Sequence, residues 1–478
     1  MTSTTQHPDQ KLVYALFALM AVFFIFNGIV SDGFGGGADS ITHFQIARFS
    51  WTHHHLFMHQ WGKPIFNIIA SPFAQLGFKG VVYFNIGLIL WGAWLAWLIA
   101  KRMLDKNAWL VPFFVLLSPV VLENSVSGLT EMICSLFLIG YIYLHLTDKI
   151  AWGALLLSFM PYARSEGFVI IAVIALYYLF SKKWKYLPLL LVGSIVFDIA
   201  GYLHTGKLLW IFDSNPYVNS TFSAVYGKGS FFHFFIWGVP TFGISFLLSI
   251  LGTVVLAKKV PAAIWKRTND VHADFWVWLV MGTGWGYFAA HTFLWWQGMW
   301  ASLGLVRVMF VVLVPMVLIA VYGFNYLSDR IKNPKTANII LYTFMAITTI
   351  GPFLWLKFPI PPGTEELVNI KAAEYIKENI PVEKTKFYTA HPYMNFRLGL
   401  DPYNKEEYEP LYSYKTAQVG DYIVWDGHFG PNEHQVPLNT FLNDSTHYQF
   451  IQNWRPERTF ITLNGFPYEI VMFRKISE

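Results

Sequence analysis

Long apolar runs dominate the chain and set its architecture. They begin near Leu12, Val81, Ala108, Leu129, Ala151, Gly167, Leu187, Phe234, Phe275, Val306 and Ala337. Several approach the roughly 20 residues that a helix needs to cross about 30 Å of hydrocarbon, and those from Ala108 to Phe180 are shorter. The pattern predicts a polytopic bundle of about eleven membrane-spanning helices. The first run lacks a basic n-region and an Ala-x-Ala cleavage site, so it reads as an uncleaved span.

Charge in the connecting loops orients the bundle. With a cytoplasmic N-terminus, Lys101-Arg102, Lys182-Lys183-Lys185, Lys258-Lys259 with Lys266-Arg267, and Arg330-Lys332-Lys335 all fall on the cytoplasmic side. Three segments then lie outside: the loop at 31–80, the Gly-, Ser-, Asn- and Tyr-rich loop at 205–232, and everything after about residue 358. The pattern changes at Pro359, Pro361 and Pro362, beyond which charged residues become common. Residues 365–379 read as an amphipathic helix with Leu367, Ile370, Ala373 and Ile376 on one face. Residues 387–390, 422–425, 448–451 and 468–473 read as strands. The expected organisation is a mainly α transmembrane domain over 1–357, followed by a small extracytoplasmic α/β domain over 358–478. Among membranes, a bacterial inner membrane suits it.

Composition agrees with the pattern. Of 478 residues 55% are hydrophobic and 13% charged, against about 25% charged in soluble domains. The net charge of +5 sits in short loops and calls for no nucleic acid. Cys134 is the only cysteine, so no intrachain disulfide forms.

Candidate chemistry collects at the outer ends of the spans, where ionisable groups are least costly. Asp39 follows Gly35-Gly36-Gly37 and precedes a short helical pattern over 41–50. It suits a ligand-facing carboxylate, and equally a helix N-cap. His53-His54-His55 raises a divalent metal ion as cofactor, with His54 and His55 as ligands. Surface histidines at the interface are the other account, because consecutive residues do not all point one way. Lys63 in Gly62-Lys63-Pro64, Arg164 in Ala163-Arg164-Ser165-Glu166-Gly167, and Arg307 at the end of the string from Gly298 lie at the same face. Arginine forks suit phosphate oxygens, although Arg164 also has Glu166 for a partner and Arg307 can snorkel to the interface. His43, Glu131, Glu166 and His291 are further candidates for substrate contact. Glu123 and Glu131 flank one outer turn, and Asp198 lies inside an apolar run.

Taken together, these strings resemble the GT-C glycosyltransferases that use polyprenyl-phosphate-linked sugars, including the protein O-mannosyltransferase and aminoarabinose-transferase branch. The resemblance rests on Asp39, Gly62-Lys63-Pro64, Ser127-Gly128-Leu129-Thr130-Glu131 with Ala163-Arg164-Ser165-Glu166-Gly167, and Gly298-x-x-x-Ser302-x-Gly304-x-x-Arg307. Two positions depart from the mannosyltransferase pattern: Asp39 is followed by Ser40 where an Asp-Glu pair is common, and Ile65 replaces the second proline of Lys-Pro-Pro. The resemblance implies a mannose-like hexose donor, inversion at the anomeric carbon and Asp39 as general base. It further implies donor-phosphate contacts from Lys63, Arg164 and Arg307. The partners would be the lipid bilayer, a polyprenyl-phosphate sugar, and an acceptor protein, lipid or glycan. A transporter or lipid-linked sugar flippase is the competing reading, although such proteins keep polar groups at mid-membrane and often show internal repeats. A non-catalytic scaffold is the third.

Overall fold

The computed structural model describes residues 9–216, 225–265, 271–462 and 465–478. Among them, five helices are long and apolar enough to cross a membrane: Gln10–Val30, Phe78–Met103, Trp184–Thr205, Val306–Ser328 and Pro334–Leu354. Pro64–Ala74, Glu131–Leu146, Ile150–Tyr162 and Gly167–Phe180 are shorter apolar helices. The Val306–Ser328 helix lies at the centre, 83% buried, whereas Pro334–Leu354 is 11% buried and keeps its apolar face for lipid.

Fewer long helices appear than the apolar runs predict, for local backbone reasons. The run from Ala108 divides into Leu110–Leu116 and Pro119–Asn124. Pro119 has no N–H to extend the ladder, and the residue before it, Ser118, is extended (φ −66°, ψ 141°). The run from Phe234 breaks into His233–Ile236, Gly238–Phe242 and Ser245–Leu256, with Gly243 at φ 68° between the last two. The run from Phe275 starts as a π-helix, Phe275–Gly282, before Thr283–Gln297 continues as an α-helix. Close packing explains Gly252: a Cβ there would stand 2.1 Å from the Ile319 carbonyl oxygen, so only glycine lets Ser245–Leu256 seat against the central helix.

The loop after the first span holds the helix Gly37–Phe49, a 3-10 turn His54–Met58, and the helix Pro64–Ala74. The C-terminal region is a five-stranded mixed sheet of β1 (Phe387–Thr389), β2 (Tyr408–Pro410), β3 (Tyr422–Asp426), β4 (Tyr448–Trp454) and β5 (Ile470–Lys475) in the order β2-β1-β3-β5-β4. β1 runs parallel to β2 and β3, and β5 runs antiparallel to β3 and β4. The pleat sends Phe387, Val424 and Met472 to one side against the helix Thr364–Asn379, and Tyr388, Ile423, Trp425 and Phe473 to the other. That helix buries Val368, Ala372, Ala373 and Ile376. Ala373 and Ile376 are buried as expected, but Leu367 is 47% exposed and Val368 takes its place on the buried face.

The sheet region is seated on the loop after the first span. Phe34 packs on Tyr393 (5.5 Å between ring centres) and Phe44 on Phe396 (5.7 Å). Gly33 donates its N–H to the Ile360 carbonyl at 3.0 Å, and His53 Nε2 lies 2.8 Å from the Asp401 carboxylate. Tyr226 donates its hydroxyl to Glu433 at 3.0 Å, tying the other long loop to the same domain.

Candidate active site

Asp39 stands in the first turn of Gly37–Phe49. It is not the N-cap: that position is Gly36, in left-handed backbone at φ 82°, and no side chain caps the helix. A negative charge in a first turn is favoured by the helix dipole. The Asp39 carboxylate forms an ion pair with Arg307, which also donates from Nη1 to the Gly36 carbonyl at 3.2 Å. One guanidinium therefore holds both the turn and its acid. Ser40 strengthens the turn by donating to the Gly35 carbonyl at 2.6 Å while accepting the Gly128 N–H at 3.1 Å.

The Gly128 segment is pinned in turn by Asn85, whose amide donates to the carbonyls of Ser127 (2.9 Å) and Leu129 (3.0 Å). This fixes the start of Glu131–Leu146 and places Glu131, 1% exposed, between two arginines. Glu131 Oε1 is 3.4 Å from Arg307 Nε, and Oε2 is 3.0 Å from Arg164 Nη1. Arg164 also donates to the Thr130 hydroxyl at 3.1 Å and to Glu166 at 2.8 Å. A buried carboxylate is expensive unless paired, and here both oxygens are paired. The result is a chain of alternating charge, Asp39–Arg307–Glu131–Arg164–Glu166. Arg307 does not snorkel to the surface; its fork turns inward.

Lys63 closes the group. It is 4% exposed, sits at φ 65° as the N-cap of Pro64–Ala74, and donates to the Ser165 hydroxyl at 3.3 Å. A positive φ is unusual for a side chain of this length and marks backbone strain held by its surroundings. Burial lowers the Lys63 ammonium to about 8, against the opposing pull of Glu166, with Arg164 adding to the fall. His43, 5% exposed, is held well below the ordinary imidazole range by burial and then by Arg164 and Lys63. It is therefore neutral.

Six of the candidates read from the sequence, Asp39, Lys63, Glu131, Arg164, Glu166 and Arg307, thus meet in one place. His43 and His291 lie within electrostatic reach of Arg164. His54 and His55 do not join them. His55 stacks on His204 with ring centres 6.5 Å apart, His54 faces solvent, and among the described residues no three His, Cys, Asp or Glu side chains converge to hold a metal ion. The metal expectation therefore has no ligand set. Asp198 is a structural group: its Oδ1 accepts the Ile211 N–H at 3.1 Å. Sequence reasoning missed Tyr287, beside His291 at 4.5 Å between ring centres, and the pair Tyr226–Glu433. No spacing signal marks them, because each is brought in by packing.

No protein-family model matches the sequence, and no curated protein sequence is similar to it. Solved structures are similar in three dimensions. ArnT from Cupriavidus metallidurans, solved in the apo state and bound to undecaprenyl phosphate, superposes with a TM-score of 0.60 at 10% identity, over 96% of this chain and 97% of that one. The oligosaccharyltransferase AglB from Archaeoglobus fulgidus, in complex with an inhibitory peptide and a dolichol-phosphate, superposes with a TM-score of 0.59 at 11% identity, over 89% of this chain and 70% of that one. At such identities the likeness is one of fold alone: the chain shares the fold of these two membrane enzymes over most of its length.

Proposed function

We propose that the chain is an inverting membrane glycosyltransferase. It moves a hexose of the mannose type from a polyprenyl-phosphate donor to an acceptor hydroxyl on the extracytoplasmic face. The observation that carries this reading is the chain of alternating charge from Asp39 to Glu166, with the buried Lys63 beside it at Ser165. The fold shared with proteins captured on undecaprenyl phosphate and dolichol-phosphate supports it.

In this reading the acceptor oxygen attacks the anomeric carbon while the bond from that carbon to the phosphate oxygen breaks. The acceptor proton passes to the Asp39 carboxylate, and the bonding pair leaves on the lipid phosphate. Arg307 orients Asp39 for this through the ion pair between them. The charge that develops on the phosphate is met by Lys63 and by those donors of Arg164 and Arg307 that the carboxylates do not use, since each guanidinium carries five N–H donors. A single displacement inverts the anomeric centre. The polar groups gather at the end of the bundle that carries the sheet domain, which suits transfer better than carriage across a midplane site.

The test is transfer from a panel of radiolabelled polyprenyl-phosphate sugars by the purified protein in detergent, beside Asp39→Asn. Wild type is expected to transfer from at least one donor, and the variant to lose about 10²–10⁴-fold in turnover while still binding that donor. Full activity in Asp39→Asn would remove the base assignment. A wild type that neither binds nor consumes any donor would put the transporter reading ahead.

A further inference from the structure

The helix Thr283–Gln297 carries a stripe that the proposed phosphate chemistry does not use. Tyr287, His291 and Trp295 are spaced four residues apart, so they line one helix face over about 12 Å. Each has a buried polar atom without a hydrogen-bond partner: the Tyr287 hydroxyl, both ring nitrogens of His291, and the Trp295 indole N–H. Tyr287 is fully buried and His291 is 5% exposed. His43, on the first-loop helix, leaves its Nδ1 unpartnered in the same way. Buried groups of this kind are normally satisfied, because each orphan carries the full cost of its lost water.

The stripe starts at the charged chain and leads away from it. Tyr287 and His291 lie in the field of Glu166 and Arg164, and His43 in that of Arg164, Lys63 and Arg307. At the far end, the Trp295 ring packs beside Gly304, where an added Cβ would stand 2.7 Å from Cε2. His233 lies against the same glycine, its Nε2 2.7 Å from the carbonyl oxygen.

Resting on the glycosyltransferase reading, we infer that Tyr287, His291 and Trp295, with His43 nearby, form the subsite for the sugar of the lipid-linked donor, distinct from the cationic residues that meet its phosphate. Phenol, imidazole and indole offer single, uncharged donors and acceptors matched to hydroxyl groups. Their ring faces match the C–H faces of a pyranose. A phosphate would instead seek Lys63, Arg164 and Arg307. The sugar replaces the missing partners of the stripe, so the chain keeps polar groups there that an apolar residue would otherwise displace.

The experiment compares equilibrium binding of undecaprenyl phosphate with that of its mannosyl, glucosyl and galactosyl phosphodiesters, using the full chain in detergent. Wild type is expected to bind one sugar-linked lipid more tightly than bare undecaprenyl phosphate. Tyr287→Phe, which keeps the ring, and His291→Gln are each expected to weaken that lipid about fivefold and to leave bare undecaprenyl phosphate within twofold. Retained binding of the bare lipid also certifies the fold of each variant. Equal affinity of wild type for bare and sugar-linked lipids would overturn the subsite, as would variants that lower both alike. Wild type binding none of these lipids would overturn the glycosyltransferase reading together with the subsite.

Discussion

Lys63 shows how much one residue can carry. Pro64 sets the first turn of the following helix, and Lys63 absorbs the change of direction at φ 65°. This places its ammonium in a buried position beside Ser165. Burial lowers it to about 8, so the cation prevails at neutral pH and is lost as pH rises through that value. Donor affinity is therefore expected to weaken between pH 7 and 9. Lys63→Arg, whose guanidinium stays protonated throughout, should flatten that alkaline limb. The pH profile of the donor KM checks this, and coincident limbs in the two proteins would take Lys63 off the phosphate. Asp39, Lys63, Arg164 and Arg307 stood out in the sequence because they are charged residues at the outer ends of apolar runs, in strings that resemble those of a known family. What each one touches was not legible. Glu131 looked like one of two acids at a turn, and it proves to be the carboxylate that spaces two guanidiniums.

Among the elements, the turn before Gly37–Phe49 matters most, because it aims Asp39. Gly36 adopts φ 82°, and a Cβ there would come within 2.7 Å of the Leu129 side chain. Gly36→Ala is expected to destabilise by about 1–2 kcal/mol from the left-handed backbone alone. It should also reduce turnover, since the Gly36 carbonyl receives the Arg307 N–H. Leu129→Ala in the same chain relieves the contact but not the backbone, so it should restore only part of the loss. Melting in detergent and donor turnover read the two effects; a Gly36→Ala protein equal to wild type in both would remove the turn from the mechanism. The helix at 364–379 and four of the strands were foreseeable from local periodicity. The breaks at Pro119 and Gly243 were not, because hydropathy counts residues and is blind to a missing N–H or a single positive φ.

At the scale of the whole molecule, the sheet domain is locked to the membrane part through both long loops. Glu433, paired with Tyr226, sits where burial raises its carboxyl to about 7, although the Tyr226 hydroxyl opposes the rise. Between its ordinary 4.5 and about 7 the folded protein holds a proton that the unfolded chain has released. Stability from this group therefore falls as pH rises through that window. Glu433→Gln should lose less melting temperature than wild type between pH 5 and pH 8. Identical pH dependence in the two proteins would show that Glu433 is not buried at the contact.

Apolar run length, helical and strand periodicity, and the change of composition near residue 358 are local properties, and they carried the membrane class and the α/β character of the tail. The motifs likewise marked the residues that come together, because glycines and a proline beside charged residues leave a local mark. Only the tertiary structure decided the pairing. Arg307 reaches Asp39 across 268 positions of sequence, and Tyr226 reaches Glu433 across 207. Such contacts depend on how the helices pack around Val306–Ser328 and where the sheet domain comes to rest. The burial that lowers Lys63 and raises Glu433 arises from that packing too, because desolvation is set by every neighbour in space and by none in particular along the chain.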